Sequence, residues 1–383
     1  MSRKFAAALR RANRLLRPTK TKVNKATKSI QKTMTGLLVA SAMAPFTALL
    51  PKTTKKQKAV APKAGRTLGT VLRQLRPTQA LLPRSMAGAT PRAASPRIPK
   101  GAQYLDRTHD SATGSRGYKI YLPASQSKQP KGLILMLHGC NQTPDDFALG
   151  THMNALAEKH GLAVAYPAQT GSQNAASCWN WFKPGNQRRG AGEPAILASL
   201  ALKLMKDFDL DRGSVFVAGL SAGGAMAAIL ADVYPDVFSA AGVHSGLARG
   251  AANDVRSAIL AMRNGGADNS IAVDTSGPSR RVRRIVFQGE ADSTVHPSNA
   301  AIIVAAAVGS NAAPTRTISR SVRGRGYARS DFAGPDGRVL LELWMLDGAG
   351  HAWSGGRPSG SYTDSTGPDA SAQMVRFFLA PAA

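Results

Sequence analysis

The sequence predicts an α/β protein, a doubly wound and mostly parallel sheet preceded by a basic, largely unstructured N-terminal arm. Three observations carry this. First, 23 of the 50 Lys and Arg residues and none of the 22 Asp and Glu fall within residues 1–100, so the net charge of +28 belongs mainly to an arm and not to a domain. Second, from about Tyr118 onward short continuous apolar runs alternate with stretches of helical spacing, as parallel strands buried on both faces and joined by helices require. Third, a serine flanked by small residues stands where one such run meets one such helix. A chain of 383 residues with 43% hydrophobic content can build one large core and still carry an appendage.

The arm and linker occupy residues 1–105. In "MSRKFAAALRRANRLLRP", Phe5, Leu9, Ala12 and Leu16 recur at helical spacing, with Arg3, Arg10, Arg14 and Arg17 roughly opposite. A basic amphipathic helix of this kind suits an anionic lipid or granule surface, which makes residues 1–60 the expected surface contact; a solvated tail is the plain alternative. Residues 34–51, "MTGLLVASAMAPFTALLP", are uncharged and mostly apolar. Pro45 interrupts a core too short to span a bilayer, so the segment reads as signal-like, with "ASAMA" as a cleavage site behind an unusually long basic n-region. Residues 51–100, rich in Pro, Lys, Arg, Ala and Thr, form a linker with one short helix near 68–75. Few aromatics interleave with the arm's charges, which weighs against a nucleic-acid partner.

The globular domain is expected over 106–383. Residues 132–139 ("GLILMLHG"), 161–167, 214–220, 283–289 and 338–346 read as strands, the first four as continuous apolar runs. Between them "DDFALGTHMNALAEKHG" and "EPAILASLALKLMKDF" repeat at helical spacing, the second with Pro194 in its first turn.

"VFVAGLSAGGAMAAIL" is a buried strand, then Gly219-Leu220-Ser221-Ala222-Gly223, then a helix over 222–233. In a strand–turn–helix of this kind the central residue is strained and only small residues two positions either side permit the close turn. Ser221 is thereby held out at the carboxyl end of the sheet, where such sheets bind ligands. A serine hydroxyl is a weak nucleophile, so a histidine must take its proton and a carboxylate must orient that histidine. His351, in the Gly-rich "LDGAGHAWSGG" after the last strand, is the candidate base. His296 lies in the loop that should supply the acid, and His244 follows Ser221 too soon, so both read as pocket-wall or packing residues. "FQGEADSTVHP" offers Glu290 and Asp292, of which Asp292 lies deeper in the loop and is taken as the acid; Asp347 reads as a turn residue. Two donors should face the oxyanion: the amide of Ala222 and, from the strand end "LMLHGCNQ", the amide of Cys140. Cys140 and Cys178 are compatible with two free core thiols or with a bridge worth up to ~4 kcal/mol. Trp179 and Trp181, with Trp353 and His296, are the expected pocket walls.

"LHGCNQTPDDFALGTHMNALAEKHG", "SCWNWFKPGNQRRGAGEPA", "VFVAGLSAGGAMAAILADVYPDVFSAAGVHSG", "GEADSTVHP" and "GAGHAWSGG" together resemble, in matching order, the poly(3-hydroxybutyrate) depolymerase family of esterases, relatives of feruloyl and acetyl xylan esterases. The resemblance runs over about residues 115–380. It implies an α/β-hydrolase fold, a Ser221, Asp292, His351 triad, an oxyanion contribution from Cys140 and a disulfide between Cys140 and Cys178. It implies serine carboxylesterase chemistry with no metal or organic cofactor, acting on poly(3-hydroxybutyrate) or its oligomers, with feruloyl or acetyl esters of plant polysaccharide as the alternative. A surface-docking module on a hydrolase scaffold is the non-enzymatic alternative. It also implies an extracellular location, against an intracellular, granule-associated one. The first hundred residues fall outside the resemblance, and no separate C-terminal polymer-binding domain is apparent.

Overall fold

The computed structural model describes residues 95–266, 281–334 and 336–380. The amphipathic segment, the apolar stretch 34–51 and the linker helix near 68–75 lie outside the described residues. The first strand, β1 (Gln103–Ser111), starts within the stretch assigned to the linker and pairs with β2 (Gly114–Leu122) through a two-residue turn.

Five short strands form the parallel centre with one more: β3 (Leu133–Leu137), β4 (Ala163–Pro167), β5 (Val215–Leu220), β6 (Ala240–His244), β7 (Arg283–Gly289) and, later in the chain, β10 (Val339–Leu346). Every residue of β3, β4 and β5 is buried, which is why the sequence shows continuous apolar runs there and not alternation, and β6 is buried throughout as well. The ten-stranded sheet is completed by the hairpin β8 (Arg316–Val322) and β9 (Arg325–Ala333), giving the order β1-β2-β4-β3-β5-β6-β7-β10-β9-β8. Pairing is parallel from β4 through to β10 and antiparallel at both flanks. After β4 the chain crosses back over β3 to lay β5 on its other side. The direction of winding therefore reverses between β3 and β5, and the loops leaving their carboxyl ends diverge around a crevice.

The helices are α1 (Pro144–Thr151), α2 (Met153–His160), α3 (Gly192–Phe208), α4 (Ala222–Val233), α5 (Val255–Asn264), α6 (Ser298–Val308) and α7 (Ala370–Leu379). Residues of α3, α4 and α5 share one core with one face of the sheet, while residues of α1, α2 and α7 share a second core with the other. A third cluster joins α6 to β7 and β10. The single helix expected over "DDFALGTHMNALAEKHG" is two, because His152 takes φ 45. One local and one tertiary contact accompany the break. Thr151 Oγ1 donates back to the Phe147 carbonyl (2.7 Å), and the His152 ring is drawn to Asp369 (3.0 Å), the N-cap of α7.

The described residues supply all three core clusters from Tyr118 onward. A chain beginning at residue 95 is therefore expected to unfold in one cooperative transition at the midpoint of the full-length protein. Thermal melts followed by circular dichroism check this, and a broadened or lowered transition would assign part of the stabilising contacts to residues 1–94.

Candidate active site

Ser221 is the single residue between the end of β5 and the start of α4, and it takes φ 57, ψ −119. A non-glycine residue held there is strained by about 1–3 kcal/mol. The neighbouring glycines explain how the turn closes at all. A Cβ on Gly219 would collide with the Gly223 backbone, and one on Gly223 would collide with the carbonyls of Leu137 and His138 at the end of β3. The elbow is fastened to the adjacent strand by the Ser221 amide, which donates to the His244 carbonyl (2.9 Å).

Asp292 sits in the turn after β7 with a side chain 0% exposed. One carboxylate oxygen accepts the amides of Thr294 (2.9 Å) and Val295 (2.8 Å). The other accepts His351 Nδ1 (2.8 Å) and, more weakly, Gln288 Nε2 (3.3 Å). Burial alone would raise the Asp292 pKa, but the His351 hydrogen bond and charge, the Val295 amide and the Ser245 hydroxyl outweigh it and hold the carboxyl below its ordinary value. Since Nδ1 donates to Asp292, His351 is left with Nε2 as its free nitrogen. Of the two acids on this loop, Asp292 is the one that reaches His351. Glu290 is exposed, and partial burial followed by the charge of Asp347 raises its pKa.

Ser221 and His351 border one open cleft, together with Gly139, Cys140, Asn141, Leu220, Met262, Thr294 and Tyr362. A second hollow shares Ser221, Cys140 and Met262, and is otherwise walled by Cys178, Trp181, Ala222, Leu247 and Val295. Among the four expected pocket walls, Trp181 alone borders these cavities. Trp179 is buried beneath them, its indole N–H donating to the His138 carbonyl (3.1 Å) and the Arg116 guanidinium 5.4 Å over its ring. Trp353 donates to Ser371 Oγ (3.0 Å) and stacks on His244. His296 is exposed and engages Ser298 Oγ (2.8 Å). Met262, Leu247, Val295, Thr294 and Tyr362 were not singled out in the sequence. Positive φ at Asn141 (61°) and Tyr362 (52°) marks two of the cleft residues as strained, a signal that side-chain identity does not reveal.

The candidate oxyanion donors come from two places. Ala222 is the first residue of α4, so its amide has no acceptor within its own helix and sits at the positive end of the helix dipole. The Cys140 amide lies between that of Gly139, which donates to Gln142 Oε1 (2.8 Å), and that of Asn141, which donates to the Ala176 carbonyl (2.7 Å). A disulfide joins Cys140 to Cys178. Behind it, buried Glu193 accepts the Asn180 amide (2.8 Å), Asn180 Nδ2 (2.6 Å) and Gln169 Nε2 (2.7 Å), and Gln169 in turn accepts from buried Arg116. His138 spans the two layers. Its Nε2 accepts the Gln169 amide (3.0 Å), so Nδ1 carries the proton and donates to the Gly139 carbonyl (2.8 Å).

A family model described as "Esterase PHB depolymerase" matches residues 116–324, more than half of the chain. The chain belongs to this family. The matched span contains Ser221 and Asp292 and ends before His351. Among curated relatives, the poly(3-hydroxyalkanoate) depolymerase C of Paucimonas lemoignei is 30% identical over 57% of this chain and 54% of that protein. The poly(3-hydroxybutyrate) depolymerase of Ralstonia pickettii is 30% identical over 67% and 55%. Feruloyl esterase B of Neurospora crassa is 28% identical over 57% and 77%. The chain thus spans about half the length of the first two relatives. Among solved structures, an acetyl xylan esterase from Aspergillus awamori superposes with a TM-score of 0.53 at 24% identity, over 65% of this chain and 93% of that one, which supports the α/β-hydrolase fold.

Two histidines of this PHB depolymerase-family chain titrate far from the ordinary 6.5. Burial pushes His138 down to about 4, and burial followed by the charge of His351 pushes His244 down to about 3. Each favours the neutral form when folded, so its contribution to stability is fully present above pH 6.5 and is lost as the pH falls from there toward the folded-state value. The loss is about 1.4 kcal/mol per pH unit for each histidine inside that window. Urea unfolding midpoints should therefore drop between pH 7 and pH 5, before carboxylates such as Asp292 titrate. A flat midpoint over that range would contradict the buried, neutral state of both rings.

Proposed function

We propose that the protein is a serine carboxylesterase that works through an acyl-enzyme. One observation carries this reading: Ser221, strained at the head of α4, borders the same cleft as a histidine whose other nitrogen is held at 2.8 Å by a buried carboxylate. In the proposed cycle Ser221 Oγ attacks the ester carbonyl while His351 Nε2 takes its proton. Asp292 holds the imidazole in the tautomer that can accept it and stabilises the imidazolium that forms. The amides of Ala222 and Cys140 donate to the oxyanion. His351 then returns the proton to the departing alkoxide, the alcohol leaves, and a water deprotonated by the same nitrogen releases the acid.

The substrate we infer is a short hydroxyalkanoate ester, 3-hydroxybutyrate polymer or oligomer. The hollow beside Ser221 has no charged side chain on its wall and is lined by Trp181, Leu247, Met262 and Val295, an apolar lining that suits a small neutral acyl group. Asn141, Thr294 and Tyr362 on the wider cleft offer polar contacts to the alcohol side. The names of the relatives support the same class, and the feruloyl and acetyl xylan esterases among them keep an aromatic or acetyl ester as the second reading. The disulfide supports an oxidising compartment, consistent with export.

Ser221→Ala is expected to reduce hydrolysis of p-nitrophenyl butyrate to background with the fold intact, and retained activity in that variant would remove the assignment. Asp292→Asn should lower kcat by about 10⁴-fold through the wrong imidazole tautomer. A panel of 3-hydroxybutyrate oligomers, p-nitrophenyl esters of graded length and methyl ferulate decides between the substrate classes; kcat/KM highest on methyl ferulate would favour the second reading.

A further inference from the structure

His244 closes β6 and is 0% exposed. Its backbone carbonyl accepts the amide of Ser221 (2.9 Å). Its ring lies between Phe287 of β7, with centroids 5.6 Å apart, and Trp353, 5.1 Å apart, stacked on both. Nε2 accepts the amide of Ser354 (3.0 Å), so the proton is on Nδ1, which lies 3.3 Å from Ser245 Oγ. Trp353 and Ser354 form β11, in the same loop as His351 and three residues or fewer beyond it. The Ser245 hydroxyl is among the groups that stabilise the Asp292 carboxylate. One side chain and its backbone therefore touch the elbow of Ser221, the loop of His351 and, through Ser245, the surroundings of Asp292.

Packing alone does not account for an imidazole here. A phenyl ring would fill the same sandwich without the cost of burying two ring nitrogens. Both nitrogens are used, one on the loop amide and one on a hydroxyl, so the ring has the form of a spacer of fixed length between two segments that must be held at a set separation. Resting on the reading of Ser221 and His351 as nucleophile and base, we propose that His244 is a positioning residue that sets the distance between the Ser221 elbow and the His351 loop. It exchanges no proton with substrate. The charged and titratable groups around the ring are His351, Asp292 and Asp364, and burial keeps the ring neutral through the working pH range.

The test compares His244→Phe, which keeps the stacking and loses the acceptor, with His244→Gln, whose Oε1 can reach the Ser354 amide. Steady-state kinetics on p-nitrophenyl butyrate, thermal midpoints and hydrogen exchange of residues 348–356 are measured on the full chain. His244→Phe should lower kcat by about 100-fold, the scale of a small misplacement of reacting groups, with KM changed by no more than about twofold. It should also speed exchange in 348–356, and His244→Gln should restore most of kcat and protection. Wild-type kcat in the Phe variant, unchanged exchange at 348–356, or a Gln variant no better than Phe at equal thermal midpoint would each overturn the proposal. If the Phe variant does not fold, His244→Asn replaces it, since its shorter amide can meet Ser245 but not Ser354, and the same contrast with Gln is expected. Ser221→Ala run alongside keeps the two readings apart. Activity in that variant removes the esterase assignment, while the exchange measurement still decides whether His244 holds the loop.

Discussion

The arrangement around Ser221 depends on one steric constraint, the contact of the first turn of α4 with the end of β3. The backbone of Gly223 passes so close to the Leu137 and His138 carbonyls that no side chain fits between them. Because α4 begins where β5 stops, this contact forces the whole reversal of direction into Ser221 and gives it φ 57. The strain is held by what surrounds it: the Ser221 amide is tied to β6, and eleven of the twelve residues of α4 are buried against the sheet. The same contact sets the Ala222 amide, at the head of α4, beside the strand whose end leads into Cys140. Candidate nucleophile and candidate oxyanion donors are thus positioned by backbone geometry, with side chains in a supporting part.

Charge is then arranged around that frame by hydrogen-bond inventory. Three histidines gather near the cleft, and each is defined by what its nitrogens meet. His138 and His244 each accept a backbone amide on Nε2, which is compatible only with the neutral ring, and burial reinforces this. His351 instead donates through Nδ1 to a carboxylate and keeps Nε2 free of that partner. Asp292 can remain ionised with a side chain 0% exposed because backbone amides of its own turn already satisfy one oxygen. Glu193 follows the same logic beneath the disulfide loop, its carboxylate taken up by Asn180 and Gln169 in place of water.

Much of this was legible in the sequence where the signal is local. The four largely apolar runs and the elbow follow from burial and turn chemistry within a few residues, and the candidates Ser221, Asp292 and His351 each stand just past a strand end. β6 went unread because "AAGVH" is short and built mostly of small residues, without the β-branched run that marks β5 and β7. β1, β2, β8 and β9 lie at the flanks of the sheet, where half-exposed strands mix polar residues into the pattern; β8 has no buried residue at all. The break at His152 is hard to read locally because the partner of its ring, Asp369, lies 217 residues away. Tryptophan content pointed to a pocket, yet Trp179 and Trp353 turn their indole N–H groups to partners inside the protein and act as props.

Specificity is the least local property of the site, and the reason is geometric. The walls of the two cavities come from the loop after β3, the Trp181 segment, the loop after β6, helix α5, the turn after β7 and the segment around Tyr362. No one stretch of sequence encodes their shape. The Cys140–Cys178 bridge couples two of these walls covalently: Cys140 carries a candidate oxyanion amide, and Cys178 lies three residues before Trp181 on the apolar wall. On the chain-entropy model a loop of this length contributes about 3–4 kcal/mol, but the local consequence weighs more. A shift of the Trp181 wall would pull on the segment that holds the Cys140 amide, so in the proposed reaction acyl binding and oxyanion stabilisation would not be tuned independently. In the proposed reaction a site built this way would favour a narrow range of acyl groups at its inner hollow and leave variation to the open cleft, where Asn141, Thr294 and Tyr362 would face the alcohol side of the ester.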